Sequence, residues 1–298
     1  MNPIVEVQGF TKSYRDVHAL DNVSFTLSEN KIYGLLGRNG AGKTTLMRII
    51  TAQVFATAGT VRVFGETPYE NDRVLRRICF IKESQKYPDT FRIADVLETA
   101  ASVFPNWDRE LALSLAEQFR LPLKRKMKNL SRGMHSSVGI VIGLASRAPL
   151  TIFDEPYLGL DAVARTLFYD RLLEDYAEYP RTIVLSTHLI DEVSRLLEHI
   201  FVIDGGRLIL DEDADALRGR AFTVVGPAAR VDALTSRMRP IDRTMLGGLV
   251  SATFWGKLDA DERRRLEAEG LELAPVSLQQ MIVRLTNGKF DGKAVSGE

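Results

Sequence analysis

Cysteine is almost absent. Cys79 is the only one in 298 residues, so no internal disulfide can form and a reducing compartment is expected. Its neighbours Ile78, Phe80 and Ile81 predict a buried, inert thiol. Long apolar runs are missing too. The longest, Val138 to Ala145, falls far short of the ~20 residues that cross a bilayer, so any tie to a membrane has to come through a partner. Net charge is absent, with Lys+Arg and Asp+Glu both at 39, which removes the global basic field of a nucleic-acid binder. Met1-Asn2-Pro3-Ile4-Val5-Glu6 shows no basic start leading into an apolar stretch, so no secretory signal is visible and the chain is expected to stay in the cytoplasm. Internal repeats, low-complexity tracts and heptads are not found.

What is present begins with Gly37-Arg38-Asn39-Gly40-Ala41-Gly42-Lys43-Thr44, a match to the phosphate-loop pattern G-x-x-x-x-G-K-[S/T]. Lys31 to Leu36 before it reads as a buried strand, and Thr45 to Ile50 after it has helical apolar spacing. The glycines therefore stand at a strand-to-helix turn, where the backbone curls without Cβ clashes and aims successive N–H groups into one concavity. Such a concavity at a helix start suits phosphate oxygens. Lys43 is expected to reach the β- and γ-phosphates, and the Thr44 hydroxyl to help hold Mg2+.

The chain is long enough for one large domain and a small one. Up to about Phe64, stretches such as Val5-Glu6-Val7, Val23 to Leu27 and Val61 to Phe64 alternate as partly solvated antiparallel strands do. Ile93 to Leu121 is mostly helical by spacing, broken at Pro105-Asn106-Trp107-Asp108, where Asp108 is placed to cap the next helix. A further helix is expected after Ser131. Leu150 to Phe153 and Thr182 to Leu185 read as buried parallel strands with functional groups at their carboxyl ends. Ile200 to Ile203 turns at Asp204-Gly205-Gly206 into Arg207 to Leu210. The pattern changes near Arg218-Gly219-Arg220, giving domains over 1–218 and 219–288 and a loose tail over 289–298. The second domain reads as small and α+β, with strands from Ala221, a charged helix near Asp259 to Glu269 and an amphipathic segment from Ser277 to Leu285.

Asp154-Glu155 closes the first of those apolar strands. Alone, such a pair is an ordinary solvated strand end. Downstream of a phosphate loop, Asp154 is suited to bind Mg2+ through water and Glu155 to polarise an attacking water. Between the two motifs lies Leu130-Ser131-Arg132-Gly133-Met134. After them come Leu158-Gly159-Leu160-Asp161 and Thr187-His188. In this order and spacing, from about Val5 to Leu210, the chain resembles the ATP-binding-cassette (ABC) ATPases.

The resemblance implies an α/β fold: a P-loop nucleotide-binding domain with an antiparallel β subdomain, a RecA-like core and a helical subdomain, followed here by the small α+β domain. It implies ATP and Mg2+ as ligands, and two such domains meeting head to tail. ATP would lie between one subunit's Gly37, Arg38, Asn39, Gly40, Ala41, Gly42, Lys43, Thr44 and Thr45 and the other's Ser131 and Gly133. Lys43, Glu155 and His188 would serve hydrolysis, His188 by bonding the γ-phosphate and positioning water. Asp161 would shape the dimer contact, and Tyr14 would stack on adenine. Without the resemblance, Ser131 is a helix cap, Asp161 a turn residue, and His188 and Tyr14 structural side chains.

Two departures stand out. The signature carries Arg132 and Met134 where the family has Gly and Gln, placing a cation that either meets phosphate charge or points to solvent. The position of the family's glutamine loop falls on Glu83, with Gln85 two residues on; either is a candidate for the metal alongside Thr44 and Asp154. Both departures resemble bacterial antibiotic- and peptide-exporter ATPases, as does the C-terminal segment Val276 to Val283. The expected function is the ATP-hydrolysing subunit of an exporter, peripheral on the inner face of the membrane through a separate permease. Its second ATPase subunit is a copy or a relative, and no nucleic acid is expected. A soluble ABC ATPase acting on ribosomes or DNA, and a low-turnover regulatory subunit, are the alternatives.

Overall fold

Strands buried along their whole length make the centre of the larger part of the protein, as unbroken apolar composition requires. The computed structural model describes residues 2–83, 85–235, 238 and 240–287. One unit comprises residues up to His188 with Leu196–Leu208, and the other Leu189–Arg195 with the residues from Ile209 onward. The tail expected over 289–298 lies outside the described residues.

The first unit opens with β1 (Pro3–Tyr14) and β2 (Val17–Ser28). After β3 (Ile32–Leu36) and α1 (Lys43–Ile50) comes β4 (Ala58–Val63), and these strands form an antiparallel sheet in the order β2-β1-β4. β1 runs well beyond the Val5-Glu6-Val7 stretch legible in the sequence. Its pairing slips between Val7 and Phe10 around Gly9, whose φ is +61°, and glycine takes such a bulge without strain.

Next come α2 (Asp72–Leu75) and β5 (Ile78–Lys82), the latter burying Cys79, whose thiol burial pushes up to about 12. α3 (Ile93–Val103) and α4 (Arg109–Gln118) separate where Pro105 demands it. The preceding Phe104 is extended, at φ −95° and ψ 117°, because proline disfavours the helical region before it. Asp108 then caps α4, its carboxylate accepting from the Leu111 N–H at 2.8 Å. α5 (Arg132–Ala145) starts likewise, the Ser131 hydroxyl accepting from the Met134 N–H at 3.2 Å. The unit is completed by β6 (Leu150–Asp154), α6 (Ala162–Glu178), β7 (Thr182–Thr187) and β8 (His199–Asp204).

β5, β6, β7, β3 and β8 run parallel. β9 (Arg207–Asp213) extends the order to β5-β6-β7-β3-β8-β9 and carries the chain into the second unit. Leu46, Met47, Ile49 and Ile50 of α1 share one apolar core with Leu35, Ile152, Val184 and Phe201 of this sheet. The carboxyl ends of β3, β6 and β7 therefore lie side by side, the place where open parallel sheets hold ligands.

The second unit holds α7 (Ile190–Val193), α8 (Ala214–Leu217), β10 (Ala221–Pro227), α9 (Ala228–Thr235), β11 (Pro240–Leu246) and β12 (Leu249–Trp255). α10 (Ala260–Ala268), β13 (Glu272–Pro275) and α11 (Leu278–Asn287) follow. The strands form an antiparallel sheet, β11-β12-β10-β13. Gly247 and Gly248, at φ +52° and +93°, make the two-residue turn between β11 and β12 that a tight hairpin requires. The core is Phe222, Val224, Val231, Val250, Ala252, Phe254, Leu266 and Leu271. The Asp191 carboxylate, just after α7 begins, accepts from the Gln279 N–H of α11 at 3.3 Å and from the Ser277 hydroxyl at 3.2 Å.

Candidate nucleotide-binding and hydrolysis site

The turn from β3 into α1 admits only glycine at two points. Gly37 has φ +149°, and a Cβ there would lie 2.2 Å from the carbonyl oxygen of Ile203. Gly42 has φ +110°, and a Cβ would lie 2.5 Å from that of Ala19. Lys43, the first residue of α1, is buried. Its ammonium donates to the carbonyls of Gly37 at 2.6 Å and Arg38 at 3.1 Å, and lies 3.9 Å from Glu155 Oε1. Burial lowers its pKa, against the pull of Glu155 and Asp154.

From β6 come the two carboxylates. Asp154 Oδ2 accepts from the Thr44 hydroxyl at 2.7 Å, which ties the strand end to the first turn of α1. Glu155 is one residue past the strand. Its N–H donates to the Ser186 carbonyl at 3.0 Å, and its backbone is left-handed at φ +51°, an uncommon state for a side chain of this size. Burial raises its pKa, opposed by His188 and Lys43.

β7 delivers His188 to the same place. Its Nδ1 lies 2.9 Å from Glu155 Oε2 and 2.9 Å from the Tyr157 hydroxyl. When Glu155 is ionised it only accepts, and Nδ1 then donates to it. The His188 N–H also donates to the Tyr157 hydroxyl, at 3.1 Å.

Lys43, Thr44, Asp154, Glu155 and His188 line one cavity of about 490 Å³. It brings together Asn39, Gly40, Gly42, Lys43, Thr44, Thr45, Glu83, Asp154, Glu155 and His188, all named from the sequence. Gly37, Arg38 and Ala41 belong to the loop without lining the cavity, the first two as acceptors for Lys43. Of the two glutamine-loop candidates, Glu83 is in the wall. Gln85 is not, and its Oε1 is buried without a partner. Tyr14, Ser131, Gly133 and Asp161 are likewise outside the lining. Tyr14 ends β1, 44% exposed, with the Lys12 ammonium 4.9 Å from its ring. Ser131 and Asp161 are exposed caps of α5 and α6, the latter accepting from the Ala164 N–H at 2.8 Å. Ala19 in the lining and Tyr157 beside His188 are not singled out by the sequence, and Leu158 only as part of the loop leading to Asp161. For Tyr157 the available signal was an aromatic hydroxyl two residues beyond Glu155.

Asp154 Oδ1 and Glu155 Oε1 are buried with no hydrogen-bond partner, a costly state that a ligand or cation relieves. A hydroxyl and a carboxylate are the hard oxygen donors that suit Mg2+. Among the described residues no group of three or more His, Cys, Asp or Glu side chains is placed to hold a metal ion. The donor set therefore fits a cation shared with phosphate oxygens.

The protein family described as ABC transporter matches residues 20–158. The chain is 26% identical to the ABC transporter ATP-binding protein YtrB of Bacillus subtilis (strain 168), over 97% of this chain and 99% of that protein. It is 30% identical to the bacitracin transport ATP-binding protein BcrA of Bacillus licheniformis, over 74% of this chain and 73% of that protein. Its fold is similar to that of the dimeric ATP-binding cassette MJ0796 in a post-hydrolysis state bound to ADP and Pi. The TM-score is 0.62 at 24% identity, over 70% of this chain and 98% of that one.

Proposed function

The chain belongs to the ABC transporter ATP-binding family, whose members bind and hydrolyse ATP, and we propose that it drives an exporter through a separate membrane permease. The observation that carries this reading is the meeting of Lys43, Thr44, Asp154, Glu155 and His188 in one cavity at the carboxyl edge of the parallel sheet. Lys43 exchanges its loop carbonyls for phosphate oxygens. Glu155, raised in pKa by burial, takes the proton of an attacking water held beside it, and His188 orients Glu155 through Nδ1. Thr44 and Asp154, with Glu83 at the wall, would hold Mg2+, which supplies positive charge to the phosphates when bound.

Ser131, Gly133 and Asp161 are assigned to the partner's nucleotide across an ATP-dependent dimer. Their position outside their own chain's cavity and the dimeric form of the MJ0796 cassette support this. Tyr14 is assigned to adenine. No helix among the described residues is long and apolar enough to cross a membrane, which favours a permease on another chain. The direction of transport rests on the Leu130-Ser131-Arg132-Gly133-Met134 signature and on the relative named for bacitracin transport.

The test uses the Glu155→Gln protein with ATP and Mg2+. Light scattering is expected to show a dimer with ATP and a monomer without it, and pull-down from solubilised membranes of the host should recover a multi-spanning protein. A monomer under both conditions defeats the dimer; ribosomes or DNA in the pull-down, with no membrane protein, defeat the transporter assignment.

A further inference from the structure

The wall of the nucleotide cavity carries one ammonium, Lys43, and three carboxylates, Glu83, Asp154 and Glu155. A triphosphate has the same sign of charge as those carboxylates. The loop N–H groups at the start of α1 favour the phosphates, while these three side-chain charges oppose them.

Arg132 alters that balance from outside the wall. It is the first residue of α5, and its guanidinium donates from Nη2 to Glu83 Oε1. The start of α5 lies close against the loop at Gly159, while the guanidinium itself is exposed. A Cβ on Gly159 would come within 2.9 Å of Arg132 Cγ, and one on Gly133 within 2.5 Å of the Gly159 carbonyl oxygen. The Ser136 hydroxyl donates to the Leu158 carbonyl at 2.6 Å, and Leu158 lines the cavity. The start of α5 is thus locked to the loop that follows Asp154 and Glu155, and from there it presents a cation to Glu83.

We propose that Arg132 is a positioning residue for this chain's own nucleotide site, holding and neutralising the Glu83 carboxylate at the cavity wall and thereby setting nucleotide affinity. The inference rests on reading the cavity as the ATP site. It gives the arginine a task within its own chain, one that a glycine at that position cannot perform. The side chains of Arg132 and Glu83 are 66% and 42% exposed, so the pair contributes little to folding and both residues tolerate substitution.

The experiment is a double-mutant cycle on the dissociation constant of a fluorescent ATP analogue, measured by titration with EDTA present and again with Mg2+. Without metal, Arg132→Ala is expected to weaken binding roughly three- to tenfold by exposing the phosphates to an unpaired carboxylate. Arg132→Lys should stay within about twofold of the wild type, since it keeps the charge. In the Glu83→Gln background, adding Arg132→Ala should change affinity by less than about twofold, because the carboxylate it served is gone. The Arg132→Ala loss should also shrink as salt rises. An equal loss in both backgrounds, or no loss from Arg132→Ala in a protein that binds the analogue, overturns the proposal. Failure of the wild type to bind the analogue would instead overturn the reading of the cavity.

Discussion

Each unit of the protein buries a polar cluster, and the two clusters are finished differently. In the first unit Lys43, Asp154, Glu155 and Ser186 are buried together at the sheet's carboxyl edge, yet Asp154 Oδ1, Glu155 Oε1 and Ser186 Oγ have no hydrogen-bond partner. In the second unit Thr223 and Thr253 face each other across the β10–β12 register, their hydroxyls 2.8 Å apart. Arg284 of α11 donates to both hydroxyls and pairs with Asp242 at 3.3 Å. The second cluster closes on itself and works as architecture. The first is left open at Asp154 and Glu155, both of which line the cavity read as the nucleotide site.

The largest effect expected is on chemistry. Glu155→Gln should lower ATP turnover by about 10²-fold or more, the contribution of a positioned general base, while nucleotide still binds; phosphate release and analogue titration measure the two. Turnover within tenfold of the wild type would remove Glu155 from the role given to it. Tyr157→Phe is a smaller perturbation of the same cluster. It deletes the hydroxyl shared by the His188 ring and N–H and should cost turnover roughly three- to tenfold by loosening the imidazole, with little change in nucleotide affinity.

The second cluster should respond in the opposite way. Arg284→Ala removes a charged donor from two buried hydroxyls and should cost about 1–3 kcal/mol, read as faster amide exchange in β10 and β12. ATP turnover is expected to stay within about twofold. A collapse of turnover comparable to that of Glu155→Gln would break the contrast drawn between the two clusters.

The two clusters were also unequally legible. The phosphate loop and Asp154-Glu155 are contiguous stretches whose chemistry requires those residue types side by side, and the apolar runs leading into them declare buried strands. Asp108 and Ser131 were readable as caps because capping is local. The Thr223–Thr253–Arg284 cluster was not, since it depends on a strand register and a helix docking that join residues 30 and 61 positions apart. Tyr157 with His188, and Arg132 with Glu83, are 31 and 49 apart and were hidden for the same reason. The sequence left the direction of Arg132 open between phosphate and solvent, and the structure turns it to a carboxylate in its own chain. β1 is legible in the sequence over only part of its length because the bulge at Gly9 interrupts the alternation by which strands are recognised.

The smallest prediction tests whether the open cluster is a cost to the fold. Burial raises the pKa of Glu155, so the stability linked to this group is present below its unfolded value and lost as pH rises through the higher folded one. Burial lowers the pKa of Lys43; its linked stability is present above the unfolded value and lost as pH falls through the folded one. The charged form of each group therefore costs more in the folded chain than in the unfolded one, and neutralising one without changing its shape should relieve part of that cost. Glu155→Gln, nearly inert as an enzyme, should melt a few degrees above the wild type without nucleotide, at roughly 2–4 °C per kcal/mol relieved. The gap should narrow as pH falls and the wild-type carboxylate takes up its proton, at a higher pH than an unburied glutamate would because burial raises its pKa. A wild type that melts higher than Glu155→Gln at neutral pH would mean that the ion pairs with Lys43 and His188 outweigh burial, and that the cluster is closed in the same sense as its counterpart in the second unit.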